Sequence, residues 1–121
     1  GDVYKRQALM KKYGVTAGTI TGIGATDDVT IGFFDQEAKE YKKYNIKKPM
    51  EILSLCGNAT LSDGVPFAHI HVILGDENYS VMGGHLFNAK ISATGEIFLN
   101  ALDAIIQREF DEETSLKLMK L

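Results

Sequence analysis

Three histidines are the residues of this sequence best placed to do chemistry. His69 and His71 stand two apart inside an apolar run, and His85 follows a Gly-Gly pair. Side chains on a strand alternate between faces, so His69 and His71 point the same way. Such a pair can converge on one ion if a neighbouring strand brings a third ligand. Tetrahedral zinc takes nitrogen donors at roughly 2.0–2.1 Å. His85 lies on the next expected strand and is the obvious third donor. With three protein ligands, zinc would keep a water in the open position of a catalytic site. The alternative is a set of three hydrogen-bonded core histidines. Imidazole also suits copper, iron and nickel, so the expected metal is a divalent ion, zinc first among them. No fourth ligand is evident nearby. Glu51 and Glu96, on neighbouring expected strands, are the weak candidates for a further ligand or a proton-transfer role. The plain reading of each is a solvated or ion-paired carboxylate.

The histidines share a face only in the right hairpin register. A three-residue loop at Asp76-Glu77-Asn78, with Asn78 left-handed, pairs Gly75 with Tyr79. Gly83 then faces His71, and His85 faces His69. A loop of two or four residues would turn His85 to the opposite face, unless a bulge at Gly83-Gly84 restored the phase.

The elements that must position these residues are mostly strands. Asp2 to Tyr13 can be helical, with Gly14 as the stop. Thr16 to Ala25 and Val29 to Phe34 read as two strands separated by a turn at Asp27-Asp28. Glu40 to Lys47 mixes tyrosines with lysines, as an edge strand does. Glu51 to Ala59 and Phe67 to Leu74 are nearly continuous apolar runs, hence buried strands. Tyr79 to Lys90 and Glu96 to Leu99 follow. Leu99 to Phe110 reads either as a helix or as a turn at Asp103 and a strand from Ile105. Asp111 to Thr114 is a tight turn, and Leu116, Leu118 and Leu121 mark a last strand. The fold class is α+β: a mostly antiparallel sheet of about seven strands with one or two helices.

The 121 residues fit a single domain, placed at residues 8–121. Residues 1–7 (GDVYKRQ) resemble translated sequencing-adapter readthrough, which would put the natural chain's start near Ala8 and leave a first strand missing. Apolar residues make up 45% of the chain, enough for a core, and the net charge is −3. That balance weighs against bare nucleic-acid binding, where phosphate contacts favour a basic excess. No segment has the roughly 20 apolar residues of a membrane span, and no signal peptide is visible. The expected compartment is the cytoplasm. The lone cysteine, Cys56, excludes an internal disulfide and reads as a small buried hydrophobe. Gly22-Ile23-Gly24 lacks the third glycine of a dinucleotide loop, because Asp27 stands there. Lysines 39, 42, 43, 47 and 48 form a solvated strand face.

Five motifs in order resemble a known family. They are Gly22-Ile23-Gly24-Ala25, the Ile31–Asp35 stretch (IGFFD), Met50–Asn58 (MEILSLCGN), Pro66–Asp76 (PFAHIHVILGD) and Gly83-Gly84-His85-Leu86. The set resembles the PPC (or PCC) domain of plant AT-hook nuclear proteins and stand-alone prokaryotic proteins, from about Tyr13 onward. The resemblance implies a compact α+β domain that forms a homotrimer. In prokaryotic members it implies a metal, usually zinc, at the positions of His69, His71 and His85. The fold also looks similar to acetolactate decarboxylase and a zinc ester hydrolase group. The family is commonly labelled DNA-binding, but in the plant proteins an Arg-Gly-Arg-Pro hook carries that activity. This sequence has only Arg6 and Arg108 and no such core. The plant domain recruits protein partners through a segment matched by Met50 to Leu53, and Lys48-Pro49-Met50 departs from its opening.

Three functions follow as expectations. The first is a stand-alone, metal-binding, homotrimeric module with a regulatory or DNA-binding label and possible protein partners. The alternative is a zinc-dependent hydrolase or lyase on a small carbonyl substrate, which leaves enzyme status open. The third is direct DNA binding by the trimer, disfavoured by charge and by the missing hook.

Overall fold

The computed structural model describes residues 3–120, and side chains from Arg6 onward. The calls on Gly1, Asp2 and Leu121 lie outside the described residues. One helix, α1 (Val3–Lys12), precedes seven strands: β1 (Gly18–Asp35), β2 (Glu40–Ile46), β3 (Met50–Ser62), β4 (Val65–Gly75), β5 (Val81–Ala101), β6 (Gln107–Asp111) and β7 (Leu116–Met119). The helix ends at Gly14, whose φ of 64° is left-handed, and Val15 N–H donates back to the Met10 carbonyl at 2.9 Å.

The strands form one sheet in the order β2-β1-β5-β4-β3-β6-β7, and β1 also pairs with β3. That extra pairing closes β1, β5, β4 and β3 into a ring. The sheet is mixed, which qualifies the mostly antiparallel expectation. β3 and β6 run parallel, with Leu61 opposite Gln107 and Ser62 opposite Arg108. The chain reaches that position by crossing beneath the start of β1. Leu102 N–H donates to the Ala17 carbonyl at 2.9 Å, and Leu61 N–H to the Ile106 carbonyl at 2.8 Å. This crossing selects the turn-and-strand reading of the tail over the helix. β2 stands at the edge of the sheet, as its lysines suggest.

Two expected breaks are absent. β1 runs through Asp27-Asp28, and β5 joins two expected strands. A register shift replaces the turn in β1. Thr26 is fully buried there, and its hydroxyl donates to the Lys90 carbonyl at 2.7 Å and accepts from Asp28 N–H at 3.3 Å. The extra residue is absorbed as a bulge because its polar groups find partners inside the ladder.

The core contains Val29, Ile31, Leu55, Ile70, Val72 and Leu74, with Met10 of α1 sealing it. The two apolar runs are buried on one face only. Along β4, Ile70, Val72 and Leu74 point inward, while His71 and Ile73 are exposed. Cys56 is likewise exposed, which corrects its reading as a buried hydrophobe. Its neighbour Leu55 takes the inward position, and alternation turns the thiol out.

Candidate metal centre

The β4–β5 hairpin fixes the histidines. Gly75 pairs with Val81, so the loop is residues 76–80, longer than the expected three-residue loop. His71 therefore faces His85, Ile73 faces Gly83, and His69 lies one same-face step beyond His71. The register differs from the expected one by two residues. A shift of two preserves the face, so all three histidines remain together. The loop is held by Asp76, whose carboxylate accepts from Asn78 N–H and Ser80 N–H, both at 2.9 Å. Those two bonds hold its carboxyl below the usual range, the Ser80 bond contributing most. Tyr79, not Asn78, takes the left-handed position, with φ 63°.

The candidate ligand nitrogens of His69, His71 and His85 all lie within 4.8 Å of one another. Ring centroids are 4.9 Å apart for His69–His71, 5.2 Å for His69–His85 and 5.7 Å for His71–His85. His71 is exposed; the other two are half-buried. The His85 Nδ1 atom is buried and has no hydrogen-bond partner among the described residues. Burial pushes the His85 pKa down from 6.5 to about 4, helped by His69, His71 and Arg6. Burial first, then His71 and Arg108, lower His69 as well. Both rings are therefore neutral at pH 7, with nitrogen lone pairs available. Three converging imidazoles, one of them with an orphaned buried nitrogen, fit a bound metal better than three satisfied core histidines.

The surroundings are aromatic and cationic. The Tyr41 and Phe87 rings each lie 4.7 Å from the His85 ring, and 5.0 Å from each other. Lys43 Nζ sits 4.3 Å above the Phe87 ring. Arg6 of α1 donates to the Phe87 carbonyl at 3.1 Å. On the other flank, Arg108 is only 8% exposed and its guanidinium lies 5.0 Å from the Phe67 ring. It donates from Nη2 to Asn58 Oδ1 at 2.7 Å, from Nε to Thr60 Oγ1 at 2.8 Å and from Nη1 to the Lys117 carbonyl at 3.1 Å. Asn58 is the cross-strand partner of His69, and Cys56 that of His71. At Gly57 a Cβ would lie 2.0 Å from the His69 carbonyl oxygen, so only glycine lets β3 approach β4 there.

Glu51 and Glu96 are not in the histidine group. Glu51 pairs with Gly75 at the loop end of β4, four residues from His71 along the strand. Glu96 pairs with Ile23 on β1. The neighbours that the sequence reading missed are Tyr41, Asn58, Phe87 and Arg108. Phe87 was within reach, because it stands two residues from His85 on the same strand. Asn58 and Arg108 needed the β3 and β6 registers, for which the sequence carries no local signal.

A ring of strands with a three-histidine face defines a class, and comparison identifies it. The description of the Plants and Prokaryotes Conserved (PCC) domain matches residues 5–103. The chain belongs to the PCC domain family. No curated protein matches it. Among solved structures it is similar to the metal-containing protein of Archaeoglobus fulgidus, at 42% identity and TM-score 0.90, covering 98% of this chain and 84% of that one. It is also similar to a plant- and prokaryote-conserved protein of Pyrococcus horikoshii, at 37% identity and TM-score 0.88, covering 98% and 83%. A protein of Bacteroides thetaiotaomicron, provisionally named DNA-binding, matches at 30% identity and TM-score 0.93, covering 98% and 82%.

Proposed function

We propose that this chain is a metal-binding, homotrimeric PCC module whose divalent ion, zinc being expected, is held by His69, His71 and His85. The observation that carries the reading is the convergence of one nitrogen from each histidine within 4.8 Å of the others, beside a His85 ring whose buried Nδ1 has no partner among the described residues. The metal-containing relative at 42% identity supports it. At ideal zinc distances three such nitrogens would stand about 3.3 Å apart, so the rings need turn only slightly. The protein's part is to hold three imidazoles in register on two paired strands, with Gly57 permitting the approach and the Tyr41 and Phe87 rings fixing His85. A zinc ion held by His69, His71 and His85 would supply a Lewis acid.

Assembly is supported by exposed apolar side chains that share one groove. Ile23 is 55% exposed, Leu53 45%, Ile97 53% and Phe98 70%, and all line a depression across β1, β3 and β5. Three copies burying this surface would gain hydrophobic stabilisation at about 25 cal/mol per Å². Among the described residues, no helix is long and apolar enough to cross a membrane.

The test is elemental analysis of purified wild-type protein beside His69→Ala. Near-stoichiometric metal in the wild type and its loss in the variant are expected. Equal metal in both would refute the site. The hydrolase or lyase reading has the open position in its favour, but Glu51 and Glu96 stand outside the triad and leave it without a nearby carboxylate base.

A further inference from the structure

The histidine face has a second property, independent of its nitrogen donors: two of its cations, Arg108 and Lys43, have no counterion among the described residues. Arg108 is 8% exposed, yet its three bonds go to an amide, a hydroxyl and a peptide carbonyl, all neutral. The four ion pairs among the described residues involve Asp35, Asp63, Asp76 and Glu109, and none reaches Arg108 or Lys43. Lys43 rests instead on the Phe87 ring. A buried cation satisfied only by neutral dipoles is costly, and a charge partner relieves that cost. A divalent ion on the triad would add two more positive charges to the same face. Three of the five guanidinium N–H bonds are committed, so two remain for an acceptor. Between Arg108 and Lys43 lie the histidines, and beside them the Tyr41 and Phe87 rings, about 5 Å apart.

We propose that this face binds a small organic carboxylate. The carboxylate is drawn to the triad and Arg108, and its apolar body rests against Tyr41 and Phe87. Lys43 contributes long-range attraction. The aromatic surface favours a ligand with an apolar body over a bare inorganic anion. The idea takes part of its charge from the metal reading above, but Arg108 and Lys43 supply charge without it.

Calorimetric titration of zinc-loaded and chelator-treated protein with benzoate, benzamide, acetate and inorganic phosphate tests this at low salt. Benzoate should bind at least tenfold more tightly than neutral benzamide and more tightly than acetate or phosphate. Arg108→Gln should weaken benzoate at least tenfold. Lys43→Gln, at an exposed position that cannot threaten the fold, should weaken it about threefold and steepen no other property. Benzoate binding that survives chelation and still depends on Lys43 would uphold the anion site without the metal, whose own test is the elemental analysis of His69→Ala. Equal binding of benzoate and benzamide, no benzoate binding to metal-loaded protein, or tighter binding of phosphate would each overturn the proposal.

Discussion

Gly57→Ala tests whether strand spacing, and not the histidines alone, builds the site. The added Cβ would lie 2.0 Å from the His69 carbonyl oxygen and 2.9 Å from Ile70 Cα. Both obstacles are backbone, so no rotamer change can relieve them. Restoring an ordinary carbon–oxygen contact of about 3.2 Å requires β3 and β4 to separate by roughly 1.2 Å, a strain comparable to severe overpacking. The separation falls at the Gly57–Ile70 pair, between the rows carrying His69 and His71. Destabilisation of about 3 kcal/mol is expected in urea denaturation. Metal affinity should also fall ten- to a hundredfold, as it does when groups supporting metal ligands are disturbed. Gly64→Ala is the comparison. Its φ of 75° is strained for alanine, yet nothing lies within 4 Å of a Cβ there. It should cost about 1 kcal/mol and leave metal binding intact. If Gly57→Ala keeps wild-type stability and wild-type metal content, the close approach does not position the histidines.

Three further outcomes are expected. Metal-free protein should lose stability as pH falls from 6.5 toward 4, because the folded pKa of His85 is held near 4 by burial and the neutral ring favours the fold. The stabilisation is complete above 6.5; discounted for the half-exposed ring it amounts to roughly 1–2 kcal/mol, and a flat urea midpoint between pH 7 and 4.5, or an unchanged slope in His85→Gln, would contradict it. Phe98→Glu places a charge on the apolar groove and should convert the proposed trimer to monomer by light scattering, whereas a trimer in that variant would move the interface elsewhere. Cys56 lines the same groove, so a thiol reagent should label it at least tenfold faster in Phe98→Glu than in the assembled wild type; equal rates would separate Cys56 from the interface.

The histidine face was legible because it depends on parity alone. His69, His71 and His85 share a face for any register shift of two, so a loop read as three residues and found at 76–80 still delivered the site. The loop itself was not legible. Its conformation is set by Asp76 bonding to Asn78 and Ser80, which overrides the preference of Asn78 for the left-handed position. Local signals also misplaced the break at Asp27-Asp28. There a buried threonine hydroxyl, paired with a carbonyl on β5, keeps the strand continuous. The parallel β6 could not be read from sequence, because two paired residues on a short strand leave no periodicity. With it went Arg108, which meets Asn58 and Thr60 only through that pairing.

Three inconsistencies of the isolated chain point in one direction. Natural sequences agree across levels, and conflicts concentrate where function is. Here a buried imidazole nitrogen lacks a partner. A nearly buried guanidinium has no carboxylate partner among the described residues. The outer side chains of two apolar strands, Leu53 and Ile73, stand about half exposed. On the readings proposed above, each would be resolved by a different occupant: a metal ion, an anion and a second copy of the chain. Two of them, the groove and the triad, share a structural element. Cys56 pairs with His71 and His71 with His85, so one cross-strand row connects the apolar groove to the triad. A shift of β3 against β4 would disturb both ends of that row. Loss of metal should therefore loosen assembly, and dissociation should weaken metal binding by the same factor, because coupling between binding equilibria is reciprocal. Measuring the trimer dissociation constant with and without a chelator, and the metal affinity of Phe98→Glu, gives two independent values of that factor. A factor of one in both measurements would mean that the row does not transmit the coupling, and that site and interface share a face without sharing energy.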